Sequence, residues 1–202
     1  MPEVKCLPHP QYREVITILV DEEPWRDVHT KIFGKNFSLP ASYPTVEAFQ
    51  EAFHGIERKN AFHYVMNRLA ARDYSSYELT KLLSSCNISD SIQREILEEC
   101  SAYGYINDEQ WIDNFIAGQI RKKKGPQAII CKLQEKGVPQ EYAQQKVEGE
   151  YQQGAQDEEI QHLLANKYKN RDLTDFKEKQ KTISALVRRG FPLHTVLEAL
   201  ES

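Results

Sequence analysis

The sequence predicts a mainly α protein built from tandem three-helix repeats, behind a small N-terminal segment that holds a β-hairpin. Three observations predict it. From Thr45 onward every periodic segment places its apolar residues at intervals of three and four, the spacing of a helix with one buried face. Stop signals fall at short, regular distances, so the helices are short. One stop recurs: Leu83-Ser-Ser-Cys-Asn87-Ile88-Ser89 aligns with Leu133-Gln-Glu-Lys-Gly137-Val138-Pro139 and with Leu186-Val-Arg-Arg-Gly190-Phe191-Pro192. In each, Leu precedes a cap-competent Asn or Gly by four residues, and an apolar residue and a helix-starting Ser or Pro follow. The offsets of 50 and 53 residues describe three units, each too small to bury its own core without neighbours. The segments expected are 1–55 (N-terminal extension), 56–105 (first repeat), 106–154 (second) and 155–202 (third).

In chain order, residues 1–10 contain three prolines and read as irregular. Val15–Val20 is a continuous β-branched and apolar run that Asp21-Glu22-Glu23-Pro24 stops, and Trp25–Ile32 is extended enough to pair with it. The turn lacks the Asn-Gly or Asp-Gly signal of a tight hairpin. A two-stranded unit needs a helix over it. Thr45 caps a short helix that ends near Gly55, and a longer helix follows with Phe62, Val65, Met66 and Leu69 inward. Ser75 and Glu78 form a capping box for a helix with Leu79, Leu82, Leu83 and Cys86 on its inner stripe. The next carries Ile92, Ile96 and Cys100 and stops at Gly104.

Asn107 and Gln110 start a helix that buries Trp111, Ile112, Phe115 and Ile116 and leaves through Arg121-Lys122-Lys123-Lys124. Gly125-Pro126 turns the chain into a helix with Ile129, Ile130 and Leu133. Gly137-Val138-Pro139 turns it again, into one with Tyr142, Ala143 and Val147 that fades at Gly154. The last pass carries Ile160, Leu163, Leu164 and Tyr168, then Ile183, Leu186 and Val187, then Val196, Leu197 and Leu200.

Composition narrows the function. The net charge is −4, with 11 Lys/Arg against 17 Asp/Glu in residues 1–110 and 15 against 13 in residues 111–202. The basic excess is clustered at Arg121–Lys124, at Lys167, Lys169 and Arg171, at Lys177, Lys179 and Lys181, and at Arg188-Arg189. Such clusters suit an acidic protein surface or nucleic acid, and any single one also suits a solvated helix face. No apolar run is long enough for a membrane span, and the opening residues MPEVKCLPHP have neither the basic start nor the apolar core of a signal peptide. The four cysteines lack CxxC spacing, which points to reduced thiols and a cytoplasmic setting.

Chemistry is sparse. The six histidines form neither HxxxH nor HExxH, and no cysteine stands close enough to complete a zinc set. Gly125-Pro126 follows a helix rather than a strand, so it is no phosphate loop. Asp108-Glu109 reads as compensation of a helix dipole. No Ser/His/Asp or Cys/His set emerges from spacing, so we expect neither an enzyme nor a cofactor or metal.

A set of short motifs carries a resemblance. Ala61, Tyr64 and Arg68; Ser75 or Ser76 with Glu78-Leu79; Gly104-Tyr105-Ile106-Asn107-Asp108; Lys124-Gly125-Pro126 with Ile129 or Ile130 and Leu133; Lys136-Gly137-Val138; and Arg188-Arg189-Gly190-Phe191 occur in an order and spacing that resembles the RecX regulators of the RecA recombinase, over about Ala61 to Ala199. The resemblance implies an elongated, curved array of three-helix repeats. It implies a monomer that lies in the groove of the RecA–DNA filament, restrains ATP hydrolysis and strand exchange, and so tunes DNA repair and the SOS response. The candidate partner-binding residues are Arg121, Lys122, Lys123, Lys124, Arg188, Arg189, Arg68 and Arg72. The first six sit at helix ends and turns, where long cations are expected to be least constrained and most exposed. Tyr105 and Phe191, the aromatics at those turns, are expected to pack in the core. The alternative is a helical protein of helix-turn-helix-like units that binds single- or double-stranded DNA directly.

Overall fold

The computed structural model describes residues 1–151 and 155–201. The chain forms two compact units, the first Met1–Asp108 and the second from Glu109 onward. The first contains strands β1 (Val4–Pro8), β2 (Val15–Val20) and β3 (Glu23–His29), and helices α1 (Thr30–Phe33), α2 (Val46–Leu69), α3 (Ser76–Ser85) and α4 (Asp90–Ala102). Helices α5 (Asp108–Arg121), α6 (Pro126–Glu135), α7 (Gln140–Glu150), α8 (Ala155–Asn166), α9 (Phe176–Arg188) and α10 (Leu193–Glu201) follow. The expected fade at Gly154 lies outside the described residues.

The sheet has three antiparallel strands in the order β1-β2-β3, so the expected hairpin is there and the expectation that residues 1–10 are irregular is corrected. Val4 and Cys6 turn inward while Lys5 and Leu7 face out, the alternation of a half-buried strand. The β2–β3 turn is two residues long, with φ of 51° at Asp21 and 67° at Glu22. It has the positive φ values of a primed hairpin turn without the usual glycine. The Asp21 carboxylate accepts the Glu3 N–H at 2.8 Å, and the Asp21 N–H donates to the Glu3 carbonyl at 2.9 Å. Glu22 pairs with Lys5. The first strand therefore holds the turn in its left-handed form.

Helix α2 covers the sheet. Thr45 caps it as expected, its Oγ1 accepting from the Ala48 N–H at 3.1 Å. The break near Gly55 does not occur: α2 is one helix of 24 residues. Gly55 faces open space, and its cost of about 1 kcal/mol against Ala is outweighed by a buried stripe that continues through it. That stripe is Phe49, Phe53, Glu57, Ala61 and Val65. Trp25 of β3 meets Phe49 and Phe53 edge-on, with ring centroids 4.7 and 4.9 Å apart.

A carboxylate at the centre of that stripe needs partners. Glu57 is 2% exposed. It accepts from both terminal nitrogens of Arg26, at 2.6 and 3.1 Å, and from the Ser89 N–H at 2.9 Å. Arg26 also donates to the Asn87 carbonyl at 2.9 Å. One ion pair thus joins β3, α2 and the α3–α4 turn.

The three aligned turns share one geometry. Asn87, Gly137 and Gly190 have φ of 59°, 81° and 95°. In each turn the next residue's N–H reaches back to the Leu carbonyl: Ile88 to Leu83 at 3.2 Å, Val138 to Leu133 at 3.0 Å, Phe191 to Leu186 at 3.3 Å. This is the Schellman closure of a helix, and all three leucines are fully buried. The inner stripes follow the sequence pattern with two corrections: Val187 and Leu197 face outward, and Ala199 fills the inner position of α10. Apolar cores centre on Trp111–Tyr151 and on Ile160–Ala199 in the second unit.

Candidate functional site

The basic run at the end of α5 is shaped by a left-handed residue. The N–H of Lys123 donates to Ile120 at 2.7 Å and that of Lys124 to Gln119 at 3.2 Å, with Lys123 at φ 55°. Lysine therefore takes the left-handed cap, and Gly125, at φ −74°, serves another purpose. A Cβ on Gly125 would lie 2.4 Å from the Gly190 carbonyl carbon and the Phe191 nitrogen. Glycine is required there so that two backbones can touch.

At that contact two helix ends satisfy each other. The Gly125 N–H donates to the Arg189 carbonyl at 2.9 Å, and the Gln127 N–H to the Gly190 carbonyl at 3.0 Å. Free amides opening α6 meet free carbonyls closing α9. Pro126 between them has no N–H to leave unpaired. The Arg189 guanidinium then donates to the carbonyls of Lys123 at 2.8 Å and Lys122 at 3.4 Å, placing a cation on the negative end of the α5 dipole.

The two basic clusters, separated in sequence by more than 60 residues, are therefore held together. Arg121, Lys122 and Arg188 are exposed, while Lys123, Lys124 and Arg189 are half-buried. Lys123 pairs with Glu159 at 2.7 Å, Arg189 is spent on the α5 carbonyls, and the Lys124 carbonyl accepts the Tyr151 hydroxyl. The expectation that all six cations are least constrained and most exposed is corrected for these three. They hold the turn, and the other three face solvent. Arg188 keeps one contact, its Nε donating to the Ser184 carbonyl at 3.2 Å.

Beside this turn a cavity of about 320 Å³ is lined by Ile120, Lys123, Glu150, Tyr151, Glu158, Glu159 and His162. Burial, with Glu159 nearby, pushes the Tyr151 phenol up to about 12. Among the described residues no group of three or more His, Cys, Asp or Glu side chains is arranged to hold a metal ion, and no helix is long and apolar enough to cross a membrane.

Arg68 and Arg72 lie in the first unit, exposed, on tyrosines. The Arg68 guanidinium carbon is 5.0 Å from the Tyr64 ring centroid, with a hydrogen bond of 3.1 Å to its hydroxyl. That of Arg72 is 3.5 Å from the Tyr74 centroid, and Arg72 also pairs with Glu78 at 3.0 Å. The Tyr64–Arg68 spacing of four is the signal that could have revealed the first stack. Of the two turn aromatics, Phe191 is buried as expected, whereas Tyr105 is exposed against Tyr103. Asp108 and Glu109 do more than offset a dipole. Asp108 accepts the Ser76 N–H at 2.7 Å and its hydroxyl, and Glu109, with Asp113, grips Lys146 at 3.1 and 3.0 Å.

Comparison with known proteins gives a consistent picture. Residues 155–200 match a family model described as RecX, third three-helix domain. The chain is similar to the regulatory protein RecX of Legionella pneumophila (strain Corby), 29% identical over 134 residues that cover 65% of this chain and 86% of that one. A crystal structure of regulatory protein RecX shares the fold over 100% of both chains, at TM-score 0.66 and 15% identity. That of RecX from Lactobacillus salivarius does so over 73% of this chain and 98% of its own, at TM-score 0.62 and 21% identity.

Proposed function

The chain belongs to the RecX family, and from that premise we propose that it is a non-enzymatic, monomeric, cytoplasmic regulator that binds the RecA–DNA filament and restrains its ATPase and strand exchange. One observation carries the reading furthest: Arg121, Lys122 and Arg188, from two distant segments, stand exposed around a turn that Arg189 and the Gly125–Gly190 contact hold rigid. A filament coated with phosphate and acidic side chains calls for cations in a fixed arrangement, because preorganised groups lose less freedom on binding. Lys123, Lys124 and Arg189 act in this site by building the turn. Arg68 and Arg72 form a second contact region, their guanidiniums already ordered by aromatic stacking. The division into repeats 56–105, 106–154 and 155–202 behind an extension of residues 1–55 is part of the proposal, and the three equivalent turns support it.

The test is RecA ATPase on single-stranded DNA across a titration of this protein. We expect turnover to fall to a plateau at saturation. Unchanged turnover at saturating protein refutes the reading.

A further inference from the structure

Helix α9 has a face that no other described element covers. Its inner side is Thr182, Ile183 and Leu186. Opposite them Lys177, Lys181, Ser184 and Arg188 follow at intervals of four, three and four, and all are exposed, which puts them in one row on the helix. Eleven residues at about 1.5 Å each make the row roughly 16 Å long. Lys181 pairs with Glu178 at 2.7 Å. The Lys177 N–H donates to the capping Asp175 carboxylate at 2.8 Å, but the Lys177 and Arg188 side chains pair with no carboxylate among the described residues.

A second row runs beside the cations. Phe176, Gln180 and Val187 are spaced by four and seven, and Phe176 is 74% exposed and Val187 40%. An outward phenylalanine at the start of a helix, with an outward valine along the same edge, gives a line of apolar surface next to a line of charge. Phe176 and Val187 are eleven residues, about three turns, apart, so both lie along one edge of the helix beside the cations.

We infer that this face of α9 docks an acidic amphipathic helix of a protein partner, with carboxylates against Lys177, Lys181 and Arg188 and apolar side chains over Phe176 and Val187. Charge complementarity selects the acidic face, and the Phe176–Val187 edge selects a protein. A phosphate strand uses the cations but has nothing for Val187, and a chain of net charge −4 draws a polyanion weakly at long range. The inference rests on the filament reading, because the row ends at Arg188 of that site.

Two measurements test it, both on the full chain with RecA filaments assembled on a single-stranded oligonucleotide. With a photo-crosslinking residue in place of Phe176, we expect the adduct on the filament protein. An adduct on the oligonucleotide, or none, overturns the inference. The double variant Phe176→Ser, Val187→Ser removes two exposed side chains and leaves the core intact. It should raise the concentration for half-inhibition of the ATPase about tenfold, the effect of losing one modest hot spot. Half-inhibition equal to wild type overturns the inference while the filament reading stands, whereas a wild-type protein that inhibits nothing removes both.

Discussion

Gly125 and Gly190 meet backbone to backbone, and neither has room for a side chain. A Cβ on Gly190 would lie 2.3 Å from the Ala128 nitrogen, and one on Gly125 would lie 2.5 Å from the Gly190 oxygen. The contact joins the start of α6 to the end of α9 and sets the spacing between Arg121, Lys122 and Arg188. Charge placement in this protein thus depends on two residues that carry no charge.

Gly125→Ala should destabilise the second unit. The neighbouring atoms are backbone, which cannot swing aside, and overpacking of this kind costs about 1–3 kcal/mol. Gly118 is the control: it lies within α5 and faces open space, so Gly118→Ala should stabilise by up to about 1 kcal/mol. Denaturant unfolding of the two variants should shift the midpoint in opposite directions. Equal shifts would mean that the Gly125 contact is looser than described.

Glu57→Ala should be among the most damaging changes in the first unit. It leaves the Ser89 N–H without its acceptor and the Arg26 guanidinium with only the Asn87 carbonyl, and breaking one side of a buried pair costs about 3–5 kcal/mol. Arg26, whose side chain is 25% exposed, regains some water, so the low end, about 3 kcal/mol, is expected. A double-mutant cycle with Arg26→Ala measures it. The coupling should account for most of either single loss, and additive losses would argue that the pair is not a unit.

Tyr151 gives the second unit an alkaline limit. Its phenol is held up at about 12, against about 10 in an unfolded chain. Between those values the unfolded chain has lost the proton that the folded chain keeps, so stability falls as pH rises, by on the order of 2 kcal/mol across the window. Below pH 10 both states hold the proton and the contribution is constant. Urea unfolding of wild type and Tyr151→Phe from pH 9 to 12 isolates this group from the lysines that titrate nearby. The stability difference between the two proteins should move against the wild type as pH rises. A difference that stays flat would show that the phenol titrates normally.

The repeat was readable from the sequence because its signal is local. Leu83, Leu133 and Leu186 each stand four residues before the left-handed position, and Asn at 87 can take that conformation almost as glycine does. Features that depend on distant partners were not readable. Strand β1 is extended because Val4–Pro8 pairs with Ile16–Val20, and α2 passes Gly55 because its buried stripe continues past it. The Gly125-Pro126 pair looks like any helix stop until Gly190 is placed against it. Exposure along α9 was half visible: the lysines stood out, whereas Val187 fits an inward position by spacing and faces out because Leu186 takes the core.

Arg188 and Arg189 are neighbours of identical chemistry, and the fold gives them opposite duties. Arg188 is exposed, with one contact to its own helix; Arg189 lies across the carbonyl end of α5, donating to Lys122 and Lys123. Replacing each by methionine removes the same charge and keeps a similar apolar stem. Arg189→Met leaves two carbonyls without their cation, and a hydrogen bond to a charged group is worth about 1.5–3 kcal/mol. Arg188→Met removes little, within about 0.5 kcal/mol, as for most surface positions. On the filament the order should reverse. Arg188→Met should raise the concentration for half-inhibition of the ATPase at a temperature where both variants are folded, and Arg189→Met should do so only as far as it unfolds the turn. Measuring both quantities for both variants separates contact from support. If the two arginines lose stability and inhibition in the same proportion, the site is not divided in this way.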